Sequence, residues 1–136
     1  MSLPLSDFVS QCEDRQKRIV SREKKKEHIA INENNRLVRQ FKVDGYVITE
    51  NIKKCDYLLL NDDNHTAYFI ELKGTDIADA IKQIEQTLEI LKNDLINYDK
   101  KLRIVFSGQV KSGTILAWQK KYKNADAGRR TYTDYI

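Results

Sequence analysis

The sequence predicts an α/β fold, a mixed central β-sheet flanked by helices in the order α-β-β-β-α-β-α-β. Three observations carry this expectation. Ile77, Ile81, Ile84, Leu88, Leu91 and Leu95 recur at steps of four and three, the spacing of one helix face. Short apolar segments separated by polar turns precede that helix, and the apolar stretch KLRIVF follows it. A strand, helix and strand in such close succession point to a right-handed parallel crossover within one sheet.

Residues 5–27 read as the first helix. Leu5, Phe8, Val9, Cys12, Ile19 and Val20 form an imperfect apolar stripe, with Ser6 placed to cap it and the Lys24–Lys26 run at its negative end. Asn32, Asn34 and Asn35 break the pattern. Residues 36–43 then alternate as a strand, Asp44-Gly45 signals a hairpin, and Tyr46-Val47-Ile48 would be its return. A polar break at 49–54 leads to a strand over 55–60. The turn Asn61 to Asn64 reverses the chain into a strand over 67–73, making the middle third an antiparallel run. Gly74-Thr75 ends it and launches the long helix over 77–95, followed by the strand 101–106, a short helix over 114–122 and a last, edge strand over 130–136.

With 136 residues, the chain is long enough for a single domain spanning 1–136 with a core that needs no covalent staples. No apolar run nears the roughly 20 residues that cross a bilayer, and the N-terminus lacks a basic stretch followed by an apolar one. Cys12 and Cys55 have neither a disulfide framework nor zinc-site spacing, so reduced thiols and a cytoplasmic location with no membrane partner are expected. The net charge of +4 and a pI near 9.0 favour polyanionic partners. The surplus sits in two runs, an early one of Lys17, Arg18, Arg22, Lys24, Lys25 and Lys26, and a late one of Lys111, Lys120, Lys121, Lys123, Arg129 and Arg130. Either run alone fits a solvated face.

The chemistry concentrates in 55–74. The run AYFIELKG is apolar until Glu71 and Lys73, which alternation puts on one face, while Ile70 and Leu72 take the other. Asp56 opens the preceding strand, which pairing would bring alongside. Two carboxylates supply hard oxygen ligands for Mg²⁺ or Mn²⁺, the Leu72 carbonyl offers a third, and a lysine beside them can orient or deprotonate a water or offset charge on phosphate. On spacing alone, Glu71 and Lys73 also fit an ordinary solvent-facing ion pair.

Cys55-Asp56, then Glu71-Leu72-Lys73-Gly74, then an amphipathic helix and a strand resemble the PD-(D/E)xK nuclease superfamily, the restriction-endonuclease-like fold. The likeness covers most of the chain, and Cys55 stands where the motif has proline. It implies a metal-dependent nuclease hydrolysing phosphodiester bonds, most often of DNA, with Asp56 and Glu71 binding the metal and Lys73 assisting the attacking water. An inactive module of the same fold, serving DNA binding or assembly, is the alternative. Relatives add a glutamine on the following helix, for which Gln83 and Gln86 are candidates, or an acidic residue from the first helix, for which Glu13 and Glu33 are. Cutting both strands of a duplex takes two sites, so a homodimer is a further expectation.

The remaining features carry less. Asp44 reads as a turn residue. Gly108 to Gly113 lacks the lysine of a phosphate-binding loop, Ser107 and Ser112 have no histidine partner, and His28 and His65 read as isolated surface residues. Trp118, Tyr122, Tyr132 and Tyr135 lie among cations, where packing outweighs stacking on bases as the expectation.

Overall fold

The structure, a computed structural model, describes residues 4–72 and 74–136. Within them, eight strands and two α-helices follow a 3-10 turn at Leu5–Asp7. They are β1 (Arg18–Glu23), β2 (Lys26–Ile31), β3 (Val38–Lys42), β4 (Tyr57–Asn61), β5 (Thr66–Glu71), α1 (Ile77–Ile90), β6 (Asp99–Phe106), α2 (Ser112–Lys121), β7 (Ala125–Arg129) and β8 (Thr131–Tyr135). One mixed sheet has the order β3-β4-β5-β6-β7, antiparallel through β5 and parallel from β5 to β7. A second has the order β1-β2-β8, with β2 antiparallel to β1 and parallel to β8. The α/β class and the β5–α1–β6 parallel crossover are therefore present.

The expected helix over 5–27 is not. In its place the chain makes the short 3-10 turn, runs irregularly along the outer edge of β3, and then forms the β1–β2 hairpin. Gln11 N–H bonds the Gln40 carbonyl (2.8 Å), Val38 N–H bonds that of Asp14 (2.7 Å), and Ser10 Oγ accepts from Gln40 N–H (3.0 Å). These bonds cover an edge that would otherwise stay open to another strand. Periodicity accounts for the difference. Ile19 and Ser21 are buried in β1, as are Lys26, His28 and Ala30 in β2, a step of two masked by the sparse four-three stripe. The lysine run is a hairpin tip, not a helix end.

Smaller differences have local causes. Residues 46–48 return from the turn at Gly45 (φ 90°) but form only an isolated bridge, Asp44 with Ile48; Val47 and Ile48 go into the core as loop residues. Helix α1 stops at Ile90, and Leu91 and Leu95 continue the apolar stripe from successive turns. Its N-cap is Asp76, whose Oδ1 accepts from Asp79 N–H (2.9 Å), rather than Gly74-Thr75. Strand β7 (ADAGR) has no β-branched residue and no apolar alternation to announce it. The final strand, β8, does lie at a sheet edge, that of the three-stranded sheet.

Both helices lie on one face of the large sheet. Ile77, Ala80, Ile84 and Trp118 share a core with Phe41, Leu58, Leu60, Ala67, Phe69, Leu102 and Ile104. The opposite residues of the same strands, Leu59, Tyr68, Ile70 and Val105, together with Leu72 just after β5, pack on Ile19 and Ala30 of the small sheet and on Ile136 just after β8. The large sheet is thus flanked by helices on one side and by a second sheet on the other. Among the described residues no helix is long and apolar enough to cross a membrane.

The two sheets are joined by a buried polar cluster. Asp134 of β8 accepts two bonds from Arg103 of β6 (Nε 2.8 Å, Nη2 3.0 Å) and a third from His28 Nε2 (2.8 Å). His28 is fully buried and stacks on Tyr132, whose hydroxyl donates to Asp126 (2.6 Å). The surface position expected for His28 is therefore wrong, whereas His65 is exposed. The same parity that buries Ala30 buries His28, and Asp134 makes that burial tolerable. Burial alone would raise the Asp134 carboxyl, but its bonds to His28 and Arg103 outweigh this and hold it below the ordinary carboxylate range.

A carboxyl lowered by folding contributes stability above its unfolded pKa and loses it as pH falls through its folded pKa. Asp134→Asn should cost about 3 kcal/mol at neutral pH, the scale for breaking a buried ion pair. It should also flatten the fall in unfolding free energy below about pH 4, the unfolded Asp range. Urea titrations at several pH values check this; an unchanged acid profile would contradict it.

Candidate active site at the end of the central strand

The central strand of the large sheet, β5, is buried at every position. Its last residue, Glu71, is 0% exposed, and Asp56, one residue before β4, is 4% exposed. Leu58 and Leu60 of β4 and Ala67 and Phe69 of β5 face the helices, so a step of two carries Asp56 and Glu71 to that same side. Asp56 is bonded to both neighbours of Glu71: its N–H donates to the Ile70 carbonyl (3.1 Å), and its Oδ2 accepts from the Leu72 N–H (2.8 Å). Such bonding holds the Asp56 side chain at the strand end. Leu72 buries its side chain between the sheets. Lys73 lies outside the described residues.

Helix α1 fixes the approach. Thr87 Oγ1 accepts from Cys55 N–H (2.8 Å) and donates to the Gln83 carbonyl (2.8 Å), all in buried surroundings. The hydroxyl thus ties the helix to the residue preceding Asp56. Cys55 is fully buried; burial first, then the charge of Glu71 and, after it, of Asp56, push its thiol well above the ordinary range. Its burial leaves Cys55 an inert packing residue.

Of the helix glutamines, Gln83 is buried and Gln86 is exposed. Gln83 lines a cleft of about 350 Å³ with Asp44, Asn51, Ile52, Lys53 and Lys54. Asp44, besides making its turn, lies 3.6 Å from Lys54 Nζ. Glu13 and Glu33 are exposed in the irregular leader and in the turn after β2, and among the described residues no α-helix precedes β1 to present them. Trp118 is core, Tyr122 donates to Glu85 (2.5 Å), and Tyr135 is exposed.

The donor set bears on a metal. Among the described residues no group of three or more His, Cys, Asp or Glu side chains could hold one. Two carboxylates suffice for Mg²⁺, which retains waters and takes its other ligands from a substrate phosphate. Asp56 and Glu71 fit such an ion in ligand type and number. The solvent-facing ion pair allowed by spacing does not fit a glutamate with no exposure. Sequence reading missed Thr87, which the apolar stripe of α1 conceals as an ordinary polar interruption.

No protein-family model, curated protein or solved structure matches this chain.

Replacing Thr87 by Val keeps the shape but strands the buried Cys55 N–H. The expected loss is about 1–3 kcal/mol of unfolding free energy, the cost of an unsatisfied buried donor, with Thr87→Ser close to wild type. Denaturant titration measures it, and equal stability of the Val and Ser variants would contradict the role assigned to the hydroxyl.

Proposed function

We propose that this chain is a divalent-metal-dependent nuclease with a restriction-endonuclease-like core, hydrolysing phosphodiester bonds of DNA. The observation that carries the reading is the bonding of Asp56, just before β4, to both neighbours of Glu71 at the end of β5, with both carboxylates buried. Removing carboxylates from water costs several kcal/mol each, which packing alone does not require of a strand end. Sites of chemistry are where such arrangements concentrate.

Asp56 and Glu71 would hold Mg²⁺ or Mn²⁺, and Leu72 would add its backbone carbonyl. Such an ion, when bound, polarises a phosphoryl oxygen and acidifies a water. The chain supplies the rest. The Leu72 N–H orients Asp56, Thr87 holds α1 against Cys55, and the closed surroundings strengthen every charge interaction at the strand end. Lys73, two residues after Glu71 in the sequence, would orient the attacking water or take its proton. Gln83, at the cleft wall, would contact the nucleotide flanking the scissile bond.

The burial of Glu71 also gives specific support to the second reading, a module of this fold that binds DNA without turnover. Cleavage separates the two. Purified protein should cut duplex DNA with Mg²⁺ or Mn²⁺ and not with EDTA. Glu71→Gln and Lys73→Ala should each reduce cutting to background while leaving circular dichroism unchanged. Cutting that survives both substitutions would contradict the assignment; wild-type protein that never cuts would favour the module.

A further inference from the structure

The end of the early basic run meets one cation of the late run, Arg130, in one place. Lys24, Lys25 and Lys26 at the tip of the β1–β2 hairpin, Arg130 between β7 and β8, and Ser107 after β6 line a cleft of about 450 Å³. Among the described residues no carboxylate lines it. Lys26 is 8% exposed, an unusual burial for lysine, and among the described residues its ammonium has neither a salt bridge nor a hydrogen-bond partner. Its chain position explains the burial: β2 turns Lys26, His28 and Ala30 towards the large sheet. The Lys26 stem is packed away while its ammonium meets solvent in a cleft bounded by three further cations and a hydroxyl, a setting that suits an anion.

The surrounding backbone holds these groups firmly. Arg130 N–H donates to the Phe106 carbonyl (2.8 Å), and the Arg130 carbonyl accepts from Glu27 N–H (2.9 Å), so this residue joins both sheets. Lys24 (φ 55°) and Arg130 (φ 67°) occupy left-handed backbone that turns ordinarily give to glycine or asparagine. Arg129, the neighbour of Arg130, lies over the Phe106 ring and bonds the Gly108 carbonyl. Strands β5 and β6 are parallel, so Ser107 emerges at the same sheet end as Glu71. The Ser107 N–H donates to the carbonyl of Gly74 (3.3 Å), three residues beyond that glutamate.

We propose that the cleft formed by Lys24, Lys25, Lys26, Ser107 and Arg130 is a phosphodiester-binding site that seats the backbone of duplex DNA beside the carboxylate edge. The proposal rests on the nucleic-acid part of the function argued above and not on hydrolysis. Repeated cations along a groove match the repeated charge of a backbone and require no base contact. Ser107 supplies a neutral hydroxyl donor to a phosphate oxygen.

The test is fluorescence anisotropy of a short labelled DNA duplex in EDTA, so that binding is read without cleavage. The variants are Lys24→Gln with Lys25→Gln at the exposed tip, Lys26→Gln, and Arg130→Asn, which suits the left-handed backbone. Lys120→Gln with Lys123→Gln removes the same charge elsewhere. The tip pair should weaken binding at least about tenfold and lower the salt-dependence slope by about 2, one unit for each phosphate no longer neutralised. Lys26→Gln should weaken it with the tip intact, and the control pair should change little. Wild-type binding unchanged in the cleft variants, or weakened equally by the control, would overturn the cleft while leaving the nuclease assignment to the cleavage assay. Should Lys26→Gln fail to fold, the tip pair alone decides. Cleft-dependent binding by a protein that never cuts would support the cleft and reject the nuclease.

Discussion

Strand β5 is covered on both faces, and the rest of the molecule follows from that constraint. Phe69 faces the helices while Tyr68 and Ile70 face the second sheet. A strand in this position can pair on both edges and pack on both sides, which removes every route to solvent except its ends. Any charge the strand carries is either buried at cost or placed at an end. Glu71 is both terminal and buried, held beside Asp56, whose own bonds reach across to Ile70 and Leu72.

Two layers complete the cover by different physics. On the helix side, aliphatic packing of Ile77, Ala80 and Ile84 is supplemented by one hydroxyl, Thr87, that fixes where α1 stands relative to Cys55. On the other side, the second sheet adds a polar tie, Arg103 to Asp134 to His28, alongside its apolar contacts. The tie gives direction that apolar contact lacks: Asp134 can satisfy both partners only with β8 opposite β6 in one placement. Placement of β8 in turn sets Arg130, and with it the relation of the basic hairpin to the strand end.

Much of the large sheet is legible in the sequence because its signals are local. The AYFIE run, the stripe from Ile77 to Leu88 and the KLRIVF segment each declare themselves within a few residues, whereas Asp56 and Glu71 stand out only as charges at the ends of apolar runs, since spacing alone also fits a surface ion pair. What stays hidden depends on distant partners. The segment Ile19 to Ile31 looks helical while its lysines are read as a helix end, and becomes a hairpin only once β8 is available to pair with β2. His28 looks like a surface residue until Asp134, at the far end of the chain, is placed against it. Strand β7 carries no pattern of its own and pairs because β6 offers an edge. The choice of Gln83 over Gln86 likewise needs the phase of α1 on the large sheet, which sequence periodicity gives only to within a residue.

The central claim is that Asp56 and Glu71 form one divalent-ion site. Isothermal titration of the purified protein with Mn²⁺ tests it without recourse to turnover. The account predicts a saturable heat for the wild type that disappears in Asp56→Ala while the fold, followed by circular dichroism, is retained. A wild type that gives no binding heat, or an Asp56→Ala variant that binds as well as its parent, would contradict it.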